Sequence, residues 1–472
     1  MTASIPDALA GFTGEILRPG DAGYEERRFG YNRRFDRSPQ LIARPRTSSD
    51  IALAIGYARE NGLEFAIRGG GHHTGGLATT EGLLLDLGLM AEVKADPERA
   101  TLRLQGGALM GAVQAEATRV GMGAALGVNS TPGIGVIIGG GLGYLSPKHG
   151  WGCDNIVSAE LVTADGEILH VSAESHPDLF RGIRGAAANF GVVSSLEIAL
   201  HPIPPKVLAG GMLWVGRERG RAAIEWLRAF RETASEDLAF YATMEWVRES
   251  RGVAPELVDQ PGISIIVCHI GTPEAAAAEI DEIRRAIPPD LDDVREMTFL
   301  DVHGSMEDMI ADRGDFKAED DEVLTSLTNE ALDVLFADFA AVGEDQGGTA
   351  ERAIQLYPEA CAIARGDAGS SALGLRVPTQ WAIHTGSYYA HLDDTDAEQG
   401  WASGVVGAVR ATSAGTGSPG TVNWVSVMTP ERSRGAYAGT YDDLAALKAV
   451  WDPTNFFRRN ANIAPAAAGT TE

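Results

Sequence analysis

Between residues 37 and 200 the chain alternates short apolar runs with stretches of helical spacing. Residues 63–67 form a strand-like run, residues 82–87 read as a buried strand, and residues 101–105 as a half-buried one. Ile51, Ala54, Ile55 and Ala58 fall on one face of a helix that Ser48-Ser49-Asp50 caps and Gly62 stops. Leu109, Val113, Ala117 and Val120 mark a second helix. Asp165-Gly166 sits between two apolar runs within residues 159–171, the strongest short-range signal for a hairpin, and residues 191–198 form a further strand. His201-Pro202-Ile203-Pro204-Pro205 then interrupts the pattern and reads as a linker. Beyond it, residues 212–215, 238–247, 263–267 and 381–391 read as strands, with charged helices near 218–231 and 273–287. That mix predicts an α+β chain whose second part is an antiparallel sheet covered by helices. Residues 313–321 are charge-rich and show no clear period, so 300–350 yields one expected helix, near 324–341. The tail from residue 465 is expected to fray.

Composition narrows the function classes. A chain of 472 residues favours two domains. A formal charge of −26 argues against nucleic acid and anionic membranes as partners, because counterion release needs a basic surface. No run of about 20 apolar residues suggests a membrane span, and residues 1–9 lack the basic and apolar segments of a secretory signal. Three cysteines, Cys153, Cys268 and Cys361, cannot complete a disulfide framework, so a reducing cytoplasm is the expected location. No metal site is expected, and oligomeric state is not readable.

The chemistry concentrates in two glycine clusters. The first, Arg68-Gly69-Gly70-Gly71-His72-His73-Thr74-Gly75-Gly76, follows the strand at 63–67. Its glycines let the backbone approach a ligand, and successive N–H groups in such a turn form a concavity suited to phosphate. Phosphate loops ordinarily finish in Lys or Ser/Thr, so a histidine at the end suggests a partner in the cofactor itself. The second cluster spreads seven glycines over residues 127–143. Gly139-x-Gly141-x-Gly143 loosely resembles a dinucleotide fingerprint, but Pro147, Gly150 and Gly152 break the helix that a βαβ unit requires. That reading is rejected.

Together with Asp154-Asn155, Val162-Thr163-Ala164-Asp165-Gly166, Asn189-Phe190-Gly191-Val192-Val193 and residues 451–463, these motifs resemble the flavin-linked oxidases of the vanillyl-alcohol-oxidase superfamily, in the berberine-bridge-enzyme-like branch. The resemblance spans nearly the whole chain. It implies a PCMH-type FAD-binding domain in residues 1–205, completed by 430–472, and a substrate domain in 206–429. It also implies FAD held by Arg68, Gly69, Gly70, Gly71, His72, Gly75, Ser130, Thr131, Gly135, Gly140, Gly141, Gly143, Tyr144, Val192, Asn460 and Asn462. In this family the histidine closing the first glycine turn is bonded to the flavin 8α-methyl. His72 matches that position, with His73 as the neighbour that confuses the assignment. Some relatives add a cysteinyl bond to flavin C6 from a Cys-Pro pair. Here the position is Thr131-Pro132, so one covalent link is expected, and Cys153 is read as an inert buried thiol.

The activity implied is oxidation of a small-molecule alcohol or amine, a secondary metabolite or catabolic intermediate, by hydride transfer to flavin N5. O₂ then takes the electrons and gives hydrogen peroxide. A dehydrogenase using another acceptor and a non-catalytic flavin carrier are the alternatives. The base stays open among Tyr388, Tyr389, Tyr437 and His384. Tyr388 and Tyr389 share a strand, so only one of them faces the flavin. Tyr437 lies in a family segment where Asn usually stands at the place of Thr440, which weakens transfer of roles there. His384 is read either as a base or as a solvent-facing residue. Arg376 is read as the charge that activates a phenol or as a surface ion pair. Glu245 and Trp246 either line the pocket or sit at an exposed edge. Asn423 is expected at the flavin's polar edge and Asn155 as a loop brace.

Overall fold

The computed structural model describes residues 9–308, 315–337, 350–359, 361–374, 376, 380–412 and 421–467. Among them, three sheets carry the fold. The first combines β1 (Glu15–Leu17), β2 (Leu41–Arg44), β3 (Phe65–Arg68) and β4 (Leu83–Asp86) in the order β1-β2-β4-β3. β2, β4 and β3 run parallel, and β1 adds antiparallel to β2. The unbroken apolar run Leu83-Leu84-Leu85 fits a strand buried on both faces. Helix Ser48–Glu60 connects β2 to β3. Its cap is Thr47, one residue before the expected one. The Thr47 side chain accepts from Asp50 N, and the Asp50 carboxylate returns the bond in a capping box.

The second sheet joins β5 (Val93–Asp96), β6 (Thr101–Gln105), β7 (Met122–Ala124), β8 (Ile156–Val162), β9 (Ile168–Ser172) and β10 (Val192–Pro202). Its order is β5-β6-β10-β8-β9, with β7 on β10. The β8–β9 hairpin closes at Val162 and Ile168 around the expected Asp-Gly turn. β10 runs through the first proline of the expected linker, because Pro202 still pairs with Met122 at a strand end where no donor is needed. Only residues 203–206 separate it from the third sheet.

That sheet contains β11 (Val207–Val215), β12 (Leu238–Trp246), β13 (Pro261–His269), β14 (Leu291–Asp292), β15 (Arg295–Met297), β16 (Phe316–Leu324), β17 (Ala350–Pro358) and β18 (Trp381–Tyr389). The order is β14-β11-β13-β12-β17-β18-β16, antiparallel throughout, with β15 on β11. One face packs Ile354, Ile383 and Ala242 against Ile224, Leu227, Ile280, Leu332 and Val405 of helices Arg217–Phe230, Pro273–Ala286, Asn329–Ala337 and Thr395–Arg410. The expected helix near 324–341 is the shorter Asn329–Ala337, and residues 338–341 lie outside the described residues. The charge-rich stretch before it is not a loop but the buried strand β16.

β16 shows no sequence period because acids occupy both of its faces. Glu319, Asp320, Asp321 and Glu322 are all buried. Arg432 pairs with Asp320 and Asp321, Arg410 Nε donates to Glu322 Oε2 (2.6 Å), and Thr74 Oγ1 donates to Glu319 Oε2 (2.7 Å). Each buried charge thus has a partner, as the desolvation cost demands.

The C-terminal segment returns to the first two sheets. Leu444, Ala445 and Ile463 share a core with Leu179, Ile183 and Phe190, and Phe457 packs on Phe65. Lys448 is fully buried there and donates to Asn189 O (2.8 Å), Phe457 O (2.8 Å) and Asp452 Oδ2 (3.0 Å). This pins residues 455–463 beside residues 185–189, and both lengths of chain border the cleft described next. Among the described residues, no helix is long and apolar enough to cross a membrane.

Candidate active site

A cleft holding about 1840 Å³ of atom-free space, partly continuous with solvent, runs between the glycine loops and the third sheet. At one end β3 and β4 finish together: Arg68 Nη2 donates to Asp86 Oδ2 (2.9 Å) and Nη1 to Phe29 O (2.9 Å). Arg68 is therefore a brace beneath the loop and not part of the cleft wall. Gly69, Gly70, Gly71 and His72 do form the wall. Among the described residues, the amides of Gly70, Gly71, His72 and His73 have no protein acceptor. Such a run of free N–H groups is a nest for an anionic group. The loop packs tightly on the second cluster, since a Cβ on Gly133 would lie 2.2 Å from Gly70 N. A Cβ on Gly135, by contrast, would meet nothing within 4 Å, and Gly135 lines the cleft. The two clusters thus cradle space that side chains leave open, as a dinucleotide cofactor requires.

The two histidines differ in what their rings already do. Gly75 N donates to His73 Nδ1 (2.9 Å), so His73 carries its proton on Nε2 and donates it to Val422 O (3.2 Å). Both His73 nitrogens are occupied. His72 instead stacks on Tyr31, with centroids 4.0 Å apart and planes at 15°. Its ring makes no hydrogen bond to another residue among the described ones. Burial lowers the His72 pKa from its ordinary value, against the opposing pull of Glu319, which keeps the ring neutral.

The opposite wall is the polar face of the third sheet. Lys317, Glu319 and Asp321 of β16 pair across to Tyr388, Gly386 and His384 of β18, which pair in turn to Glu351, Ala353 and Gln355 of β17. Strand alternation puts these on one face and Tyr389 on the other. Gln355 Oε1 accepts from Tyr357 OH (3.0 Å) and from His384 Nδ1 (2.8 Å). That places a proton on His384 Nδ1 and leaves Nε2 facing Glu319 Oε2, 3.8 Å away, which is a charge contact when Nε2 is protonated as well. Burial alone would raise the Glu319 pKa. His384 and the Thr74 hydroxyl outweigh it, and the carboxyl is held below its ordinary range. Tyr357 stacks on Trp424 (4.8 Å), and both rings line the cleft.

Against the expected residues, Gly69, Gly70, Gly71, His72, Gly135 and Asn460 line the cleft, as do the candidate bases Tyr388, Tyr437 and His384. His384 is buried, not solvent-facing. Tyr389 is corrected. It is buried on the helix side of β18, where its hydroxyl meets Thr395 Oγ1 (3.0 Å). Tyr437 is closed in, its hydroxyl 3.5 Å from Gly185 O, and burial raises its pKa. Several expected cofactor residues stand behind the wall instead. Gly75 backs on the His73 ring. A Cβ on Gly143 would lie 2.3 Å from Leu126 O, and one on Gly141 would crowd Gly152. Gly140, Tyr144, Val192, Ser130, Thr131 and Asn462 are likewise absent from the wall: Tyr144 is buried against Tyr241, and Val192 is core. These glycines serve close backbone packing.

Arg376 is not a surface ion pair. It grips Asp154 with Nη1 (2.9 Å) and Nη2 (2.7 Å) in the interior. Glu245 is buried with Ser264 and Arg251, and neither it nor Trp246 reaches the wall. Asn155 does brace its loop, donating to His149 O (2.9 Å) and Trp151 O (2.8 Å). Asn423 lines the cleft and donates to Gly139 O (3.2 Å). Sequence reasoning missed Tyr31, Glu319, Gln355 and Tyr357. Only the odd-numbered acids of β16 carried a hint, once read as a strand.

The class that the fold and cleft define is a PCMH-type FAD-linked oxidoreductase. Residues 39–172 match the FAD binding domain family, and residues 422–464 match the berberine and berberine-like family. The chain is 30% identical to (R)-6-hydroxynicotine oxidase of Paenarthrobacter nicotinovorans over 96% of its own length and 97% of that protein. The solved 6-hydroxy-D-nicotine oxidase of Arthrobacter nicotinovorans superposes with a TM-score of 0.86 at 26% identity, covering 98% of this chain and 99% of that one. A glucooligosaccharide oxidase from Acremonium strictum, described with a 6-S-cysteinyl, 8α-N1-histidyl FAD, shares the fold at a TM-score of 0.83 and 20% identity, with 98% and 99% covered. The chain belongs to the berberine-bridge-enzyme-like FAD-linked oxidases, enzymes that act on small molecules.

Proposed function

We propose that this protein oxidises a small-molecule alcohol or amine, carries its FAD on a single covalent link through His72, and passes the electrons to O₂ to give hydrogen peroxide. The observation that carries this reading is the run of amides without a protein acceptor at Gly70–His73, within which the His72 imidazole makes no hydrogen bond to another described residue. Gly69, Gly70, Gly71, Gly135 and Asn460 would hold the cofactor, and bound FAD supplies the two-electron acceptor that side chains lack. The engagement of both His73 nitrogens supports His72 over its neighbour. Thr131 at the position of the Cys-Pro pair supports a link without cysteine. Cys153 offers no substitute, because its thiol is fully buried and burial raises its pKa.

Proton removal from the substrate falls to the sheet face. We assign the base to Tyr388; its position on the cleft face of β18, with the Glu319–His384 pair along the same face, supports this reading. His384 acts through Glu319, since its own Nε2 is closed off from the cleft. The relatives named as a 6-hydroxynicotine oxidase and a glucooligosaccharide oxidase support both an amine and an alcohol. The shared core of residues 430–463 with the first two sheets supports a flavin-binding domain of 1–205 completed by 430–472, with 206–429 as the substrate domain. The free thiols of Cys153, Cys268 and Cys361 support a reducing cytoplasm.

The test is acid precipitation of the purified yellow protein followed by peptide mapping. Flavin on the peptide carrying His72 is expected, and on His72→Ala protein it should be released to the supernatant. Flavin on His73 or Cys153, or none bound covalently in the wild type, overturns the link. Stopped-flow reoxidation in air is expected within seconds; a flavin reduced for minutes identifies a dehydrogenase.

A further inference from the structure

We infer that Glu319 is the residue that selects the substrate, and that the substrate carries a positively charged nitrogen seated between this carboxylate and the Tyr357–Trp424 aromatic wall. The inference deepens the proposed function and rests on it in one respect, that the cleft is where substrate binds.

Glu319 is an unusual thing to leave in such a place. It lies on the buried polar face, lines the cleft, and is 6% exposed. Its Oε2 is occupied, taking the Thr74 hydroxyl at 2.7 Å and facing His384 Nε2 at 3.8 Å. Its Oε1 makes no hydrogen bond among the described residues. An ionised carboxylate removed from water with one oxygen unpartnered costs free energy unless a ligand completes it, and the partner that compensates most is a cation. The surrounding groups maintain the charge: burial opposes ionisation, but His384 and the Thr74 hydroxyl together hold the pKa below the ordinary range.

The neighbours supply that charge only in part. The Lys317 ammonium sits over the Tyr31 ring, 4.2 Å from its centroid; burial lowers its pKa, and the attraction of Glu319 only partly offsets that. His72 and His73 have lowered pKa values, again through burial, and His73 is spent on Gly75 and Val422. Asp321 on the same face adds negative charge, though Arg432 pairs with it. The remaining wall suits an apolar cation. Tyr357 stacks on both Tyr241 (5.2 Å, 27°) and Trp424 (4.8 Å, 25°), so of the two rings that line the cleft Trp424 is the one with a face to offer, and the His384 ring lies 5.6 Å from it. Aromatic faces attract ammonium groups most where water is excluded. A neutral alcohol would use the Gln355 amide equally well and would gain nothing from a carboxylate kept ionised.

The experiment titrates the purified holoprotein with benzyltrimethylammonium and with benzyl alcohol, reading tryptophan fluorescence and the flavin absorbance band. The wild type is expected to bind the cation about tenfold more tightly than the alcohol. Glu319→Gln, which is isosteric, should remove that preference and leave the alcohol's affinity unchanged. Thr74→Val keeps the charge but removes a donor to it, so the carboxyl pKa rises. Its preference should persist at pH 8 and, as pH falls, vanish at a higher pH than in the wild type. Equal affinity of wild type and Glu319→Gln for the cation overturns the inference, as does a wild type that favours the alcohol. Should Glu319→Gln fail to fold, the pH behaviour of Thr74→Val decides by itself, and an unshifted profile overturns the inference. Absence of flavin or of peroxide release counts against the proposed function instead, and the binding preference stays readable from tryptophan fluorescence.

Discussion

The glycine loops beyond β3 and the polar face of β16, β17 and β18 border one cleft, yet they are built by opposite means. The loops present backbone: four free amides, and glycines packed so closely that a Cβ on Gly133 would intrude on Gly70 N. The sheet presents side chains gathered from strands far apart in sequence, with Glu319, Gln355 and His384 brought together by cross-strand register. A wall made of backbone tolerates little substitution and suits a ligand that does not change. A wall made of side chains can be recomposed residue by residue while the sheet stays the same. Under the function proposed above, the difference would separate cofactor from substrate within one cavity.

The sharpest way to break this comparison is inside the loop wall itself. Gly133→Ala forces a Cβ to within 2.2 Å of Gly70 N and 2.9 Å of Gly70 Cα, both backbone atoms that cannot rotate away. We expect a loss of about 3 kcal/mol in denaturant unfolding and failure to retain flavin. Gly135→Ala, two residues on, adds its methyl to open cleft. Its stability should change by less than about 0.5 kcal/mol, while flavin occupancy after purification falls. If both variants behave alike, the distinction between packed and ligand-facing glycines is wrong.

The same contrast explains what was legible in the sequence. Glycine motifs and an Asp-Gly hairpin are local, so the first two sheets and the loop could be read directly. The choice between His72 and His73 could not, because it depends on Val422, which lies 349 residues away from His73. β16 was illegible for a physical reason. Period-two reading assumes one polar face, and here Arg410 and Arg432 neutralise acids on both faces. Tyr389 was half legible. Alternation said that one of the two tyrosines turns away, and only the helix side of the sheet shows which.

A second test separates the two faces of β18. Tyr388→Phe removes the hydroxyl from the cleft side and should lower kcat about a hundredfold, the ordinary scale of a general base. Tyr389→Phe removes only the bond to Thr395 Oγ1 (3.0 Å), so activity should hold and stability fall by about 1 kcal/mol. Steady-state kinetics beside thermal unfolding distinguishes them, and equal activities would remove Tyr388 from its assigned role.

The smallest expected effect concerns a buried acid just past the end of β17. Glu359 is fully buried, accepts from Gln380 Nε2, and has its pKa pushed up to about 8 by burial. The unfolded chain ionises this group near an ordinary pKa of about 4.3, so between those values the folded state binds the extra proton. Stability must therefore decline as pH rises through that window, by at most about 1.4 kcal/mol per pH unit from this group. Asp321 and Glu322 add slopes of the same sign, but burial raises them only to about 6 and about 7. Above pH 7, Asp321 is largely ionised and Glu322 half ionised, so Glu359 carries most of the remaining slope in this set. Glu359→Gln, which cannot ionise, should make the stability curve shallower, most visibly between pH 7 and 8. Urea unfolding at half-unit pH steps reads the difference. An undiminished slope between pH 7 and 8 in Glu359→Gln would move the titration to another group, and with it the claim that Glu359, unlike Glu319, is held in its neutral form.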